Sequence, residues 1–424
     1  MSADIPLAID FSDRYPVLGR VHVCGAGGIG MGAAAHLLLD MGLPVTGSDL
    51  RHSVLTDGLE ARGMDIAYAP DVERVRRASC VVVSSRFPQA HPEVEAARAA
   101  GIPILDRHAL IGIVCRAVGV TPILCMGTMA RGKLPLVFAQ LPHAGWAAGA
   151  VACGATMPHA HIGQIMAVDV DERDFLAHPE WFVDFVGCDA IVTDWQDADG
   201  YYGEDCSLQA LCDAIRDRVL RMGNVMVRPE SGDDGRAAFS VWNRAGRLEN
   251  VDFAVDAMRR TFGDFAYHGT RVDASAVMAA HVWCRFRKIP QRPDDVSCEG
   301  WFRRVAPRQY HEIRMHPVNL RIAIEAIRGM HPDAKIGVAM RPFASTLFAY
   351  PAQCWRDALR GVRQILLITP PYEGCTMLDC ERFEAALRIE GMRAACVTLD
   401  VAHKMAGDGA YWIWSGAGDI VDGS

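Results

Sequence analysis

Two glycine-containing loops carry the residues whose types and spacing suit a chemical role. The first, GAGGIG at residues 25–30, matches GxGxxG, follows the apolar run VHVC and opens an apolar helical pattern. Asp49 stands 19 residues after this loop, at the end of the next predicted strand. Glycines let the backbone approach a diphosphate, the helix N-terminus attracts it, and the acid can bind a ribose hydroxyl. The spacing therefore favours a nucleotide site over a ligand-free turn.

The second loop, GTMARGK at residues 127–133, has the GxxxxGK spacing of a phosphate-binding loop. Its Lys133 can neutralise phosphate charge. Leu134, however, stands where a serine or threonine would offer a hydroxyl oxygen to Mg²⁺, and Pro135 follows it directly. The spacing indicates phosphate binding, while an ordinary glycine–lysine surface loop fits the same letters.

The apolar pattern predicts the elements that hold these loops. Short β-rich runs alternate with longer helical patterns through nearly the whole chain, which is typical of parallel α/β layers. The alternation begins anew at TPILCMG, residues 121–127, and again after Pro317, while the polar stretch at 231–237 is predicted to be a turn or insertion. We predict an α/β fold of three domains: a Rossmann-like N-terminal domain at 1–116, a central P-loop-type α/β domain at 117–303 and a C-terminal Rossmann-like α/β domain at 304–424.

Composition and charge narrow the possible partners. The chain has 424 residues, with 51 acidic and 43 basic side chains and a formal net charge of -8. No stretch gathers the basic residues that bind a phosphate backbone, so we expect no nucleic acid. The N-terminus lacks a signal-peptide pattern and no window is apolar enough to span a membrane, which predicts a cytoplasmic protein without a membrane partner. The 14 cysteines, without CxxC spacing, predict free core thiols, and a monomer and a homodimer both stay open.

With both loops in view, the chain resembles the Mur ligase family, and within it most closely the UDP-N-acetylmuramate:L-alanine ligase (MurC) type or its murein-tripeptide-recycling relative. The segments that carry the resemblance occur in family order and span almost the whole chain: VHVCGAGGIGMG, GSDL, VVVSSRFPQAHPEVEAARAAGIPILDRHALI, GTMARGK, AVDVDERDF, GWFRR, MHP and GAGDI. The resemblance implies that the first domain binds a UDP-linked sugar, the central domain ATP and the third the incoming amino acid. ATP then phosphorylates a carboxylate, and an amine attacks the acyl phosphate. The first loop therefore serves UDP, not NAD.

The resemblance also implies a role for individual residues. The UDP-sugar contacts are Gly25, Gly27, Gly28, Ile29, Gly30, Met31, Asp49, Ser84 and Ser85. The ATP contacts are Gly127, Thr128, Gly132, Lys133 and Arg303. The metal ligands are Asp169, Asp171 and Asp199, and the catalytic residues are Lys133, Asp169 and His316.

Three departures from the family pattern fall on the predicted metal site. Leu134 replaces the magnesium-binding hydroxyl residue, Asp169 replaces a glutamate that is one methylene longer, and Asp199 lies close to the position of a family histidine. Phosphoryl transfer requires that charge on the β- and γ-phosphate oxygens be neutralised, largely by the metal and the loop lysine. Together these changes predict weakened or absent catalysis with ATP and Mg²⁺, although the remaining acidic run can still offer hard oxygen ligands.

Three hypotheses follow from the residues and the resemblance. The first is a ligase that joins an amino acid to a carboxylate on a UDP-linked substrate. The second is a catalytically degenerate homologue, a pseudoenzyme that binds a nucleotide sugar without ligation. The third is a nicotinamide oxidoreductase, which rests on GxGxxG alone and lacks a placed acid or base for hydride transfer.

Overall fold

The computed structural model describes residues 18–85, 87–127, 134–139, 148–152, 159–161, 165–193, 208–230, 236–254, 271–288, 302–312, 317–342, 350, 352–371, 375–389, 391–406, 409–416 and 420. These residues form three sheets with helices between their strands, which confirms the predicted α/β class.

The first sheet has five parallel strands in the order β3-β2-β1-β4-β5, the strand order of a Rossmann fold. Its strands are β1 Val21–Cys24, β2 Val45–Ser48, β3 Asp65–Ala67, β4 Cys80–Val83 and β5 Ile104–Asp106. Its helices are α1 Ile29–Asp40, α2 Val54–Glu60, α3 Val72–Arg76, α4 Pro92–Ala99 and α5 Arg107–Val118. Every residue of β1 and β4 is buried, because a parallel sheet is covered on both faces.

The central sheet has eight strands in the order β13-β12-β11-β10-β6-β9-β7-β8. The strands are β6 Thr121–Met126, β7 Ala148–Ala152, β8 His159–His161, β9 Ile165–Asp169, β10 Asp189–Val192, β11 Met226–Glu230, β12 Arg236–Asn243 and β13 Gly246–Ala254. Its helices are α6 Leu134–Ala139, α7 Glu172–Ala177, a 3₁₀ turn Pro179–Phe182, α8 Leu208–Met222 and α9 Arg271–Phe286.

Both edges of the central sheet are antiparallel, which differs from the predicted parallel layers. Strands β11, β12 and β13 run antiparallel in succession, as do β7 and β8 at the other edge. Only two residues separate β12 from β13, and Gly246 supplies the positive φ of 127° that so tight a connection requires. A connection this short cannot cross over to a parallel strand.

The third sheet has six strands in the order β14-β15-β19-β16-β17-β18, parallel except for the β14–β15 hairpin. The strands are β14 Phe302–Ala306, β15 Gln309–Glu312, β16 Ile336–Met340, β17 Gln364–Thr369, β18 Ala394–Thr398 and β19 Tyr411–Ser415. The helices are α10 Pro317–Met330, α11 Ala352–Ala358, α12 Met377–Ile389 and α13 Leu399–Met405. Separate apolar clusters cover its two faces, one around Trp355 and the other around Trp414.

The chain divides into two compact units. One contains the first and central sheets, and the other contains the third sheet. Among the described helices, none is long and apolar enough to cross a membrane. The described cysteines are free and, apart from Cys396, buried, as the sequence predicts, and burial raises the pKa of Cys80 to about 12.

Candidate functional site

The glycine loop, residues 25–30, connects β1 to α1 and is tied directly to the end of β2. Gly25 adopts a left-handed φ of 69°, which turns the chain sharply as it leaves the strand. The amide of Gly27 donates to Asp49 Oδ2 at 2.8 Å, and the amide of Leu50 donates to Asp49 Oδ1 at 2.7 Å. The structure therefore brings the predicted acid and the predicted loop together, and Asp49 itself holds the loop in shape.

Two loop positions accept only glycine without rearrangement. A Cβ atom at Gly27 would lie 2.9 Å from Asp49 Oδ2, and one at Gly30 would lie 3.0 Å from Nη1 of Arg107. Arg107 is the first residue of α5, and its guanidinium therefore packs against the first turn of α1. A cation beside the positive end of a helix is electrostatically unfavourable unless an anion also lies there. Arg107, which the sequence did not single out, thus lies beside the glycine loop.

A buried carboxylate lies beneath the glycine loop. Glu93 of α4 is fully buried and accepts hydrogen bonds from Ser48 Oγ and from the amide of Asp71, both at 2.7 Å. Nε2 of His22 lies 3.4 Å from Oε1, the oxygen that also accepts from the Asp71 amide. Burial raises the pKa of Glu93, but the hydrogen bonds from His22, the Asp71 amide and Ser48 outweigh burial and hold the pKa at about 2. Glu93 thus links β1, through His22, to the end of β2, through Ser48.

The remaining predicted UDP-sugar contacts lie near the same edge of the first sheet. Ser84 and Ser85 follow β4, the neighbour of β1, and Ser85 Oγ donates to Asp174 Oδ2 at 3.1 Å. Met31 lies in the first turn of α1 and its side chain is buried, whereas the side chain of Ile29 lies outside the described set. Their contact with a UDP-linked sugar stays a prediction.

Three buried acidic side chains lie at the end of β9 and directly after it in the central sheet. Asp169, Asp171 and Glu172 are 5%, 8% and 0% exposed. Glu172 Oε1 accepts from the amide of Gly127, the first residue of the predicted phosphate loop. Asp171 caps α7 by accepting from the amide of Arg173 at 3.0 Å and also pairs with the Arg173 guanidinium. We call residues 169–172 the acidic strand end; its donor set consists of hard oxygens, which suits Mg²⁺.

The acidic strand end contacts the first domain through His108. Nδ1 of His108 lies 2.9 Å from Asp106 Oδ1, and Nε2 lies 3.3 Å from the carbonyl oxygen of Asp169. The imidazole also packs on Phe182, with ring centroids 5.1 Å apart. The glycine loop and the acidic strand end are thus connected within one compact unit.

Several predicted site residues lie outside the part of the chain that the structure describes: Thr128, Gly132, Lys133, Asp199 and His316. Arg303 lies on β14 opposite His311, but its side chain is also outside the described set. Leu134 is fully buried at the start of α6.

The sequence analysis did not single out Glu93, Arg107 or His108, and it included Glu172 only as a member of the acidic run. The letters alone contain no signal that separates Glu93 from Glu95, which lies in the same helical turn and is exposed. Asp106 before Arg107 and His108 does carry a signal, since an acid before an apolar helical pattern is typical of a helix N-cap.

The sequence of this chain is similar to the sequences of Mur ligases. Residues 20–118 match the model of the Mur ligase family, catalytic domain. The UDP-N-acetylmuramate–L-alanine ligase of Burkholderia ambifaria is 27% identical over 465 residues, covering 95% of this chain and 96% of that protein. The enzyme of the same name from Desulfosudis oleivorans is 25% identical over 367 residues, covering 76% and 77%.

Two solved structures share the fold over almost the whole chain. The UDP-N-acetylmuramate-alanine ligase MurC of Thermotoga maritima superposes with a TM-score of 0.63 at 17% identity and covers 95% of this chain and 96% of its own. The murein peptide ligase of Psychrobacter arcticus superposes with a TM-score of 0.58 at 14% identity, with the same coverage. The chain is therefore a three-sheet α/β protein related to the Mur ligases. Both sequence relatives named above are UDP-N-acetylmuramate–L-alanine ligases, the type that the sequence resemblance indicates.

Proposed function

We propose that this chain is an ATP-dependent ligase that joins the carboxylate of UDP-N-acetylmuramate, or of a closely related UDP-linked compound, to the amine of an amino acid. The observation that carries the proposal is the anion-binding glycine loop, built from Gly27, Gly30, Asp49 and Arg107, which His108 connects to a carboxylate-rich strand end. A diphosphate site beside a divalent-cation site suits a UDP-linked substrate that is activated by ATP.

The proposal divides the work among three domains. The domain at 1–116 binds the UDP-linked substrate through the glycine loop, Asp49, Ser84 and Ser85. The domain at 117–303 binds ATP through the loop from Gly127 to Lys133, and the domain at 304–424 binds the amino acid. The family resemblance assigns Arg303 to the nucleotide and His316 to the catalytic residues, and both assignments stay predictions.

The chain's own groups hold the reactants while the bonds change. The substrate carboxylate attacks the γ-phosphorus and releases ADP, and the amine then attacks the acyl carbon and expels phosphate. Lys133 compensates the phosphate charge, and Asp169, Asp171 and Asp199 hold Mg²⁺. When bound, the ion neutralises charge on the β- and γ-phosphate oxygens. The acidic strand end offers enough carboxylate oxygens to fit the ion even though Leu134 has none.

Calorimetric titration with UDP-N-acetylmuramate, Mg²⁺–ATP and NAD, together with a phosphate-release assay over a panel of amino acids, tests this proposal. We expect binding of the first two compounds, no binding of NAD, and phosphate release that depends on one amino acid. Lys133→Ala should abolish phosphate release and leave UDP-N-acetylmuramate affinity unchanged, because the two sites belong to different domains.

Each of the other possible results would contradict a different part of the proposed function. Binding of the UDP-linked substrate without binding of Mg²⁺–ATP would refute the ligase and favour the non-ligating homologue. Binding of NAD without a response to UDP compounds would favour the oxidoreductase. Equal loss of both activities in Lys133→Ala would contradict the division of labour among the domains.

A further inference from the structure

Asp106 and His108 form a buried pair where α5 meets the central sheet. They are 7% and 2% exposed. One carboxylate oxygen, Asp106 Oδ1, accepts from the amide of His108 at 2.7 Å and lies 2.9 Å from its Nδ1. These two bonds, together with the stacking on Phe182, fix the orientation of the imidazole. The other ring nitrogen, Nε2, is therefore held in a set direction.

Two groups from the two proposed binding sites meet at this nitrogen. Nη2 of Arg107 lies 2.9 Å from Nε2 of His108, and the carbonyl oxygen of Asp169 lies 3.3 Å from the same atom. The guanidinium of Arg107 packs against Gly30 in the glycine loop. A continuous series of contacts thus runs from Gly30 through Arg107 and His108 to Asp169, although His108 and Asp169 are 61 positions apart in the chain.

This arrangement has a thermodynamic consequence for two ligands. An anion at the glycine loop attracts Arg107, and a divalent cation at the acidic strand end holds the backbone of Asp169 in place through its side chain. Each ligand restricts the same short series of side chains. The second ligand then orders fewer groups than it would alone, so the conformational entropy that it loses is smaller.

We propose that His108 is a positioning residue that couples binding of a UDP compound at the glycine loop to binding of Mg²⁺–nucleotide at the acidic strand end. The proposal rests on the proposed function for the identity of the two ligands. It assigns to His108 the coupling between the sites, not the intrinsic affinity of either one.

The test measures UDP affinity by calorimetry, without and with saturating Mg²⁺ and a non-hydrolysable ATP analogue. In the wild-type protein we expect the second ligand to tighten UDP binding about fivefold or more, within the usual range of coupling energies. In His108→Phe, which keeps a ring against Phe182 but removes both nitrogens, UDP binding alone should persist and the coupling should disappear.

Two further variants make this result specific. His108→Gln, whose amide oxygen can accept from Arg107 as Nε2 does, should recover part of the coupling and also provides the test if the Phe variant does not fold. His178→Phe is the matched control, because His178 lies in the same compact unit, stacks on Trp181 at 3.7 Å and pairs with Glu180. It should couple the two ligands as the wild type does.

The outcomes separate this inference from the function on which it rests. Absence of UDP binding or of Mg²⁺–nucleotide binding in the wild-type protein would overturn the proposed function and the coupling with it. Binding of both ligands without mutual effect, or equal coupling in wild type and the His108 variants, would overturn the coupling alone. Loss of coupling in His108→Phe with retention in His178→Phe supports it.

Discussion

Glu93 and the acidic strand end both contain buried carboxylates, but the groups around these carboxylates differ. Glu93 is a single buried acid surrounded by donors from three segments of the first domain. The acidic strand end instead places three buried acids within four residues. Charged groups are costly to bury unless they are paired. Both regions pair acids with protein groups, since Asp171 pairs with Arg173 and Glu172 accepts from the amide of Gly127. The difference is that Glu93 is one charge among several donors, whereas the acidic strand end concentrates three carboxylates whose hard oxygens suit a cation.

Truncation of Glu93 tests the first half of this comparison and has the largest expected effect. Glu93→Ala leaves Ser48, the Asp71 amide and His22 buried without their acceptor, so we expect the free energy of unfolding to fall by about 3–5 kcal/mol. Urea denaturation measures this loss. Glu95→Ala, which removes an exposed acid from the same helix, should change stability by less than about 1 kcal/mol. Equal losses in the two variants would mean that the buried network does not support the fold.

The pH dependence of stability tests the same network through its charge. The pKa of Glu93 is about 2 in the folded protein, below the ordinary glutamate value of 4.5. Its carboxylate therefore stabilises the fold above the unfolded-state pKa, and this contribution is lost as the pH falls from about 5 towards 2. Glu93→Gln cannot titrate, so the stability of the wild type relative to the variant should fall by about 2 kcal/mol between pH 6 and pH 3. The full loss of about 3 kcal/mol is reached only below pH 2. Urea midpoints at pH 6, 4 and 3 measure it; parallel curves for the two proteins would contradict the lowered pKa.

The gain in unfolding free energy when Mg²⁺–nucleotide binds tests whether the acidic strand end holds a cation. At a free Mg²⁺–nucleotide concentration about 100 times its Kd, the wild-type protein should gain about 2.7 kcal/mol of unfolding free energy. Asp169→Asn should gain much less, because it removes a hard anionic oxygen from the acidic strand end. Asp217→Asn, an exposed substitution on α8, is the control and should gain as much as the wild type. Full stabilisation of Asp169→Asn would show that the acidic strand end does not hold the cation.

The exposed ion pair between Arg116 of α5 and Asp184 has the smallest expected effect. Nη1 of Arg116 lies 2.7 Å from Asp184 Oδ1, but the Arg116 side chain is 64% exposed. Solvent screens such pairs, so Arg116→Ala should lower the unfolding free energy by less than about 1 kcal/mol and leave the coupling between UDP and Mg²⁺–nucleotide intact. A loss of coupling in Arg116→Ala would mean that the exposed pair, not the buried His108, connects the two regions.

The parts of the site that could be predicted are those encoded by neighbouring residues. The loop from Gly25 to Gly30 and the acid at Asp49 follow from a strand, a glycine pattern and a helix in succession, and the structure joins them at 2.8 Å. The antiparallel edges of the central sheet were not predicted. A short apolar run indicates a strand, but it does not indicate which strand lies beside it or in which direction that neighbour runs. The residues of the phosphate loop beyond Gly127 stay predictions.

The sequence by itself determined the elements, the glycine loop and the acidic run, because apolar periodicity and the positive φ of glycine act over a few residues. Only the tertiary structure decided that Glu93 and not Glu95 lies under the loop, that Arg107 packs on Gly30, and that His108 reaches Asp169. Those partners come from different strands and helices, and the crossover connections of the sheets bring them together. A side chain's chemical role depends on the atoms around it, and at these positions those atoms lie tens of residues away in the chain.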